Sequence, residues 1–337
     1  MAEGRHRELQ NAWRALSAEE DRPGWCTIPL SATGTCPLDA GRRFPGNEES
    51  VLFGVRIPHA PSTDGLPQGR GFRVDVVEPG CDGRGGMRLA VSRRAPASLD
   101  LFTMMAVDLI AVAEAGPREA DERLSQELLG RIRAWQDFMQ RGDTGLLSPN
   151  EEIGLLGEVV VLRTFVEAGM PPAAAVGAWE GPLGGLHDFR VGAGAVEVKT
   201  SVGPGPFVAH IGSLDQLDEG RRPLFVGAVA LGVGDDGLRL PEWVDAVRAK
   251  FSDPSVCDAL DLRLLHAGYV AGVSERYTRR FALRVVRMLH VDGTFPRLTR
   301  GRVPTGVIGA QYDVDLASAA NCVVALRDAL AALGGSG

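Results

Sequence analysis

The stretch from Ala195 to Thr200 reads AVEVKT, and its alternation of small or branched apolar residues with Glu197 and Lys199 is that of a β-strand. Successive strand side chains point to opposite faces, so Glu197 and Lys199 share one face while Val196 and Val198 enter the opposite layer. A carboxylate and an ammonium are thereby held side by side. Asp188 opens the neighbouring arm, Phe189 to Val191, and a turn at Gly192-Ala193-Gly194 folds that arm back so that Asp188 approaches Glu197. Upstream, Glu158 lies on the helical stripe Leu155, Glu158, Leu162, Phe165, whose other members are apolar. An acid on a buried stripe needs a partner. Two or three carboxylates with one lysine are the equipment of metal-assisted phosphodiester hydrolysis. Carboxylate oxygens suit Mg²⁺, which polarises a phosphoryl oxygen and acidifies a coordinated water. The lysine adds a compact ammonium beside the phosphate.

The elements that must position these residues occupy a middle segment, about 146–235. Ser148 as N-cap, Pro149 at the first helical position and Glu151 three residues after the cap predict a helix ending near Gly169, before Pro171 and Pro172. The hairpin 189–200 follows. Ser213 and Gln216 form a second capping box that predicts a short helix, and the continuous apolar run Leu224 to Leu231 predicts a strand buried on both faces. The order is helix, hairpin, short helix, buried strand.

Flanking segments complete the organisation. Residues 1–145 read as an N-terminal α/β domain able to bind DNA or a partner. Its strands are expected near Val51–Ile57, Phe72–Val77 and Met87–Val91, and its helices start after Ser98 and span Asp121–Arg141. The polar loop from His59 to Gly71 suits a surface finger. Residues 236–337 read as a C-terminal α/β extension: a helix at Val256–Ala267, strands at Arg280–Val291 and near Val307–Val314, and a final helix Leu316–Leu333. Between Phe251 and Arg302 nine arginines face five acids, a local positive excess in a chain of net charge −7. Arg280, Arg284 and Arg287 are candidate phosphate contacts, although simple alternation puts Arg287 on the face opposite the other two.

At the acid cluster the sequence resembles the PD-(D/E)XK nuclease superfamily, whose site is an acid, a hairpin, then (D/E)-x-K. Asp188, Glu197 and Lys199 match that pattern, and Glu158 matches the helix acid of many members; His187, not proline, precedes the first acid. A closer likeness is to a bacterial family assigned to that superfamily, carried by GLLGE at 154–158, WEGPLGGLHDF at 179–189, EVKT at 197–200, SLDQL at 213–217 and FPR at 295–297. The resemblance implies a three-layer α/β nuclease core, with Asp188, Glu197 and Lys199 catalytic and Asp188, Glu197 and Glu158 on the metal. It implies Mg²⁺, replaceable by Mn²⁺, and a DNA substrate cut by an endonuclease of a restriction or anti-phage system. Its partners would be further copies of the chain or proteins of a defence operon, among them an ATPase. The alternative is a catalytically silent DNA-binding or assembly subunit. His187 and Gln216 stand as supporting residues, each with a sufficient structural role of its own.

Composition narrows the remainder. The 337 residues are 45% hydrophobic and 23% charged, as in a globular protein of two or three domains. The charged N-terminus has no apolar h-region, so a cytoplasmic location is expected. The longest apolar stretch, Leu99 to Ala115, carries Asp100, Asp108 and Glu114 and suits a buried helix rather than a membrane span. Five scattered cysteines with no CxxC pair support neither a disulfide framework nor a zinc site. An HD-type phosphohydrolase needs more histidines than the six dispersed here, and no GxxxxGK[ST] phosphate loop is present. Of 36 Lys and Arg residues only Lys199 and Lys250 are lysine. In a chain that writes arginine almost everywhere, one of its two lysines stands beside Glu197.

Overall fold

The computed structural model describes residues 2–17, 23–31, 36–55, 66–78, 87–95, 97–115, 121–140, 147–218 and 223–334. The chain divides into two units, Met1–Gly145 and Leu146–Gly337. Most of the expected surface finger, and the turn-rich connection 79–86, lie outside the described residues.

In the first unit α1 (Ala2–Leu16) precedes five antiparallel strands: β1 (Gly24–Pro29), β2 (Leu38–Phe44), β3 (Glu48–Phe53), β4 (Phe72–Val77) and β5 (Arg88–Arg93), in the order β1-β2-β3-β5-β4. α2 (Leu99–Ala115) and α3 (Asp121–Gln140) follow. Ser98 caps α2 by accepting from the Leu101 N–H at 3.2 Å. Trp13 of α1 packs on Phe102 of α2, ring centroids 5.6 Å apart, and its indole N–H donates to the Ser50 carbonyl at 2.8 Å. Asp108, one of the acids interrupting the apolar run, is bound by the Arg131 guanidinium at 2.6 and 2.7 Å and by the Trp135 indole at 2.7 Å. That pairing lets α2 bury its face with a charge in it. Among the described residues no helix is long and apolar enough to cross a membrane.

The second unit is built on a five-stranded mixed sheet. α4 (Pro149–Glu167) and α5 (Pro172–Ala178) lead into the hairpin β6 (Phe189–Val191) and β7 (Gly194–Val202), then β8 (Val208–Ile211) and β9 (Leu224–Leu238). α6 (Leu240–Arg248), α7 (Pro254–Ala267), β10 (Phe281–His290), β11 (Tyr312–Asp315), β12 (Val323–Val324) and α8 (Leu326–Ala332) complete it. The sheet order is β12-β10-β9-β7-β6, with β7 parallel to β9 and the other pairs antiparallel. This mixed α/β architecture fits a PD-(D/E)XK-type fold.

α4 begins at the expected capping box: Ser148 Oγ accepts from the Glu151 N–H at 3.3 Å, and Glu151 accepts from the Ser148 N–H at 2.8 Å. Leu155, Leu156, Val159, Val160, Val161, Leu162 and Phe165 are buried, each contributing roughly 1.5–3 kcal/mol by leaving water. α4 approaches β7 at Gly157, where a Cβ would lie 1.8 Å from Thr200 Oγ1. The opposite sheet face is covered by the pair β8–β11 and by Leu217, Phe295 and Leu316, which form one core cluster with Val226, Ala228 and Leu289.

Four expectations change. The boundary placed at 235 falls inside β9, and β10, assigned to a separate extension, pairs with β9 along the same sheet. The short helix after Ser213 does not form: 212–218 is a chain of bends and turns, because the Gln216 side chain is engaged elsewhere, as described below. The single final helix is instead a 3₁₀ turn at Leu316–Cys322, the short strand β12 and α8. In β10 a bulge between Leu283 and Val285 breaks the alternation, so Arg284 and Arg287 reach the same face. Arg287 stands in register with Ala228, and the Arg284 guanidinium lies over Gly232, four residues along the same strand.

Candidate active site

Continuing the β6–β7 register one step beyond Phe189 and Val196 sets Asp188 opposite Glu197. Asp188 is anchored there by its Oδ2, which accepts from the Val198 N–H at 2.6 Å, while its carbonyl accepts from the N–H groups of Glu180 and Gly181 at 2.8 and 2.9 Å. Glu197 is 3% exposed, and its Oε1 accepts from Lys199 Nζ at 2.9 Å and from Gln216 Nε2 at 2.7 Å. Gln216 Oε1 accepts in turn from the Gly212 N–H at 2.8 Å, and the Gln216 carbonyl lies 3.0 Å from His187 Nε2. Glu158 enters from α4, where its Oε2 accepts the Trp179 indole N–H at 2.6 Å.

The structure therefore brings Glu158, Asp188, Glu197 and Lys199 together, with Gln216 touching Glu197 and His187 steadying the Gln216 backbone. Two residues escaped the sequence reading. Trp179 orients Glu158; the available signal was an indole in a Gly/Pro-rich stretch, since a buried indole N–H needs an acceptor. Gly181 lets the chain pass against two carboxylates, because a Cβ there would lie 2.8 Å from Glu158 Oε2 and 2.9 Å from Asp188 Oδ1. Arg297 and Arg300 also hold the Gln216 segment, through the Leu217 carbonyl at 2.5 Å and the Asp215 carboxylate at 2.6 and 2.7 Å. Arg280 lies apart from this chemistry, bound to the Gly237 carbonyl at 2.9 Å.

Electrostatically the cluster is short of positive charge. Burial, then the negative charge of Asp188, pushes the Glu197 carboxyl up to about 8. Burial raises Asp188 to about 6, against the opposing pull of the Val198 N–H and Lys199. Glu158 is held well above the usual carboxylate range by burial and by the neighbouring Asp188 and Glu197. Each acid uses one oxygen on the protein, whereas Glu158 Oε1, Asp188 Oδ1 and Glu197 Oε2 have no donor among the described residues. Among those residues no three His, Cys, Asp or Glu side chains already converge on one point. Three clustered carboxylates with spare oxygens and raised proton affinity nevertheless fit a hard divalent cation, which supplies the missing charge and takes oxygen ligands.

The raised values set the sign of a pH effect. An acid whose folded pKa exceeds its unfolded value binds more protons in the fold, so stability falls as pH rises between the two. In chelator-treated protein, the thermal unfolding midpoint of this unit is expected to fall from the ordinary carboxylate range up to about pH 8. Mg²⁺ should restore it most at the alkaline end. Calorimetry over that range, with and without Mg²⁺, checks this; a midpoint that rises with pH and ignores Mg²⁺ contradicts it.

Over residues 9–317 the chain matches the model of the family DUF4420, described as "Putative PD-(D/E)XK family member". No curated protein and no solved structure matches it significantly.

Proposed function

From the premise that the chain belongs to this PD-(D/E)XK family, we propose that it is a Mg²⁺-dependent endonuclease that hydrolyses DNA phosphodiester bonds, acting in a bacterial restriction or anti-phage system. The observation that carries the reading is the enclosed trio Glu158, Asp188 and Glu197, each with a spare oxygen, beside Lys199 at 2.9 Å from Glu197. The complete set favours an active enzyme over a silent subunit. Asp188, Glu197 and Glu158 would hold Mg²⁺, with Mn²⁺ as a substitute. When bound, the ion polarises the phosphoryl oxygen and lowers the pKa of a coordinated water.

The chain's own groups do the positioning. Lys199 would place its ammonium beside the phosphate as charge develops on it, and Glu197, 2.9 Å away, fixes its direction. Gln216 donates to the same Glu197 oxygen as Lys199, Oε1, which holds the carboxylate and leaves Oε2 for a ligand. Trp179 and the Val198 N–H fix the two remaining acids. Their arrangement is thus set before substrate arrives, which is the condition for electrostatic catalysis. With no GxxxxGK[ST] loop in the sequence, any ATP-driven step falls to a partner protein. Supercoiled plasmid incubated with the purified chain is expected to be cut in Mg²⁺ or Mn²⁺ and spared by a chelator. Cutting that persists in chelator, or none in either metal, overturns the proposal.

A further inference from the structure

The acid cluster stands at one end of a sheet face that continues across two more strands. Register places Lys199 beside Ala228, and Ala228 beside Arg287. Residues in register on neighbouring strands project to the same face. The next row holds Ser201, Ala230 and Val285. Beyond it the bulge delivers Arg284, whose Nε would lie 2.5 Å from a Cβ on Gly232. Between the cations the middle strand carries Ala228, buried at the edge of the core cluster, and then Ala230 and Gly232, which are partly exposed and have no long side chain.

Arg284 and Arg287 are exposed, and neither makes a hydrogen bond or ion pair among the described residues. Their neighbours differ: Arg279 is bound to Glu152, and Arg280 to the Gly237 carbonyl and Glu242. Lys199 and Arg287 are two strand spacings apart, about 10 Å. Measured along the axis of B-form DNA, that is the rise of roughly three base steps at about 3.4 Å each. A guanidinium fork matches phosphate oxygens in pairs.

We infer that Arg287 and Arg284 bind backbone phosphates of the DNA strand held at the acid cluster, on the side leading across β9 to β10. The inference rests on the nuclease reading and names a subsite for it. Contacts of this kind position the substrate without reading its sequence.

The test uses binding, not cleavage. In a Glu197→Ala background, which prevents cutting, binding of a fluorescent duplex oligonucleotide is measured by anisotropy over a range of salt. Arg287→Ala and Arg284→Ala are each expected to lower the slope of log affinity against log salt by about one unit, equally for duplexes of unrelated sequence. Arg287→Lys should keep the slope, and Lys250→Ala on α6's C-terminal side should leave it unchanged. Both arginines are exposed, so unfolding midpoints should match the background. Folded variants with an unaltered slope overturn the inference, as does a background protein that binds no duplex. Cleavage by the native chain is scored separately, so the subsite can fail while the nuclease reading stands.

Discussion

Lys199→Arg is expected to slow phosphodiester cleavage by about two to three orders of magnitude, a loss of the size seen when one preorganised charge at a developing oxyanion is removed. The positive charge survives this substitution, so geometry must account for the loss. Lys199 is a point charge with 14% of its side chain exposed, 2.9 Å from one oxygen of Glu197. A guanidinium is longer, planar and suited to gripping both oxygens of a carboxylate at once. In this position it would engage the spare Glu197 Oε2 and withdraw a ligand that a divalent cation needs. Single-turnover cleavage of plasmid by native and Lys199→Arg protein in Mg²⁺ measures the effect, with thermal unfolding as the control for folding. Native rates in the variant would mean that any cation serves there.

The second large effect is structural. Gly157 precedes Glu158 on α4, and a Cβ at Gly157 would sit 1.8 Å from Thr200 Oγ1 and 3.0 Å from Thr200 Cβ. Rotating the threonine hydroxyl away relieves only the first contact, since the second belongs to the atom fixed to the β7 backbone. Gly157→Val is therefore expected to destabilise the second unit by about 1–3 kcal/mol or more through overpacking. It should also push α4 outward and carry Glu158 away from Asp188; a displacement of about 1 Å at a reacting centre costs on the order of a hundredfold in rate. Urea unfolding and cleavage measured together check both parts. A companion Thr200→Gly change in the same protein should recover part of the stability. An unshifted urea midpoint in Gly157→Val would show that α4 and β7 are not this close.

Glu158, Asp188, Glu197 and Lys199 were legible from the sequence because they obey local rules: a strand alternates, a Gly turn reverses it, and a helix repeats every three to four residues. The hairpin and the capping box of α4 follow the same logic and appear in the structure. Gln216 was expected as a supporting residue and does touch Glu197, but the short helix expected around it failed for the opposite reason. Its spacing from Ser213 satisfies a capping box, but a tertiary acceptor, Glu197, competes for the amide and the helix is lost. Arg284 illustrates the limit of alternation, since one bulged residue moves it to the face of Lys199 and no local pattern announces the bulge. The roles of Trp179 and Gly181 depend on distances between α4 and the start of β6, which sequence spacing does not contain.

Cleavage of supercoiled plasmid in Mg²⁺ by native protein beside Glu197→Ala and Lys199→Ala, purified in parallel, addresses the central claim most directly. If these side chains do the chemistry, the native chain nicks or linearises the plasmid and both variants, folded by their unfolding midpoints, leave it supercoiled. Equal cleavage by all three proteins would contradict the assignment and place the chemistry elsewhere.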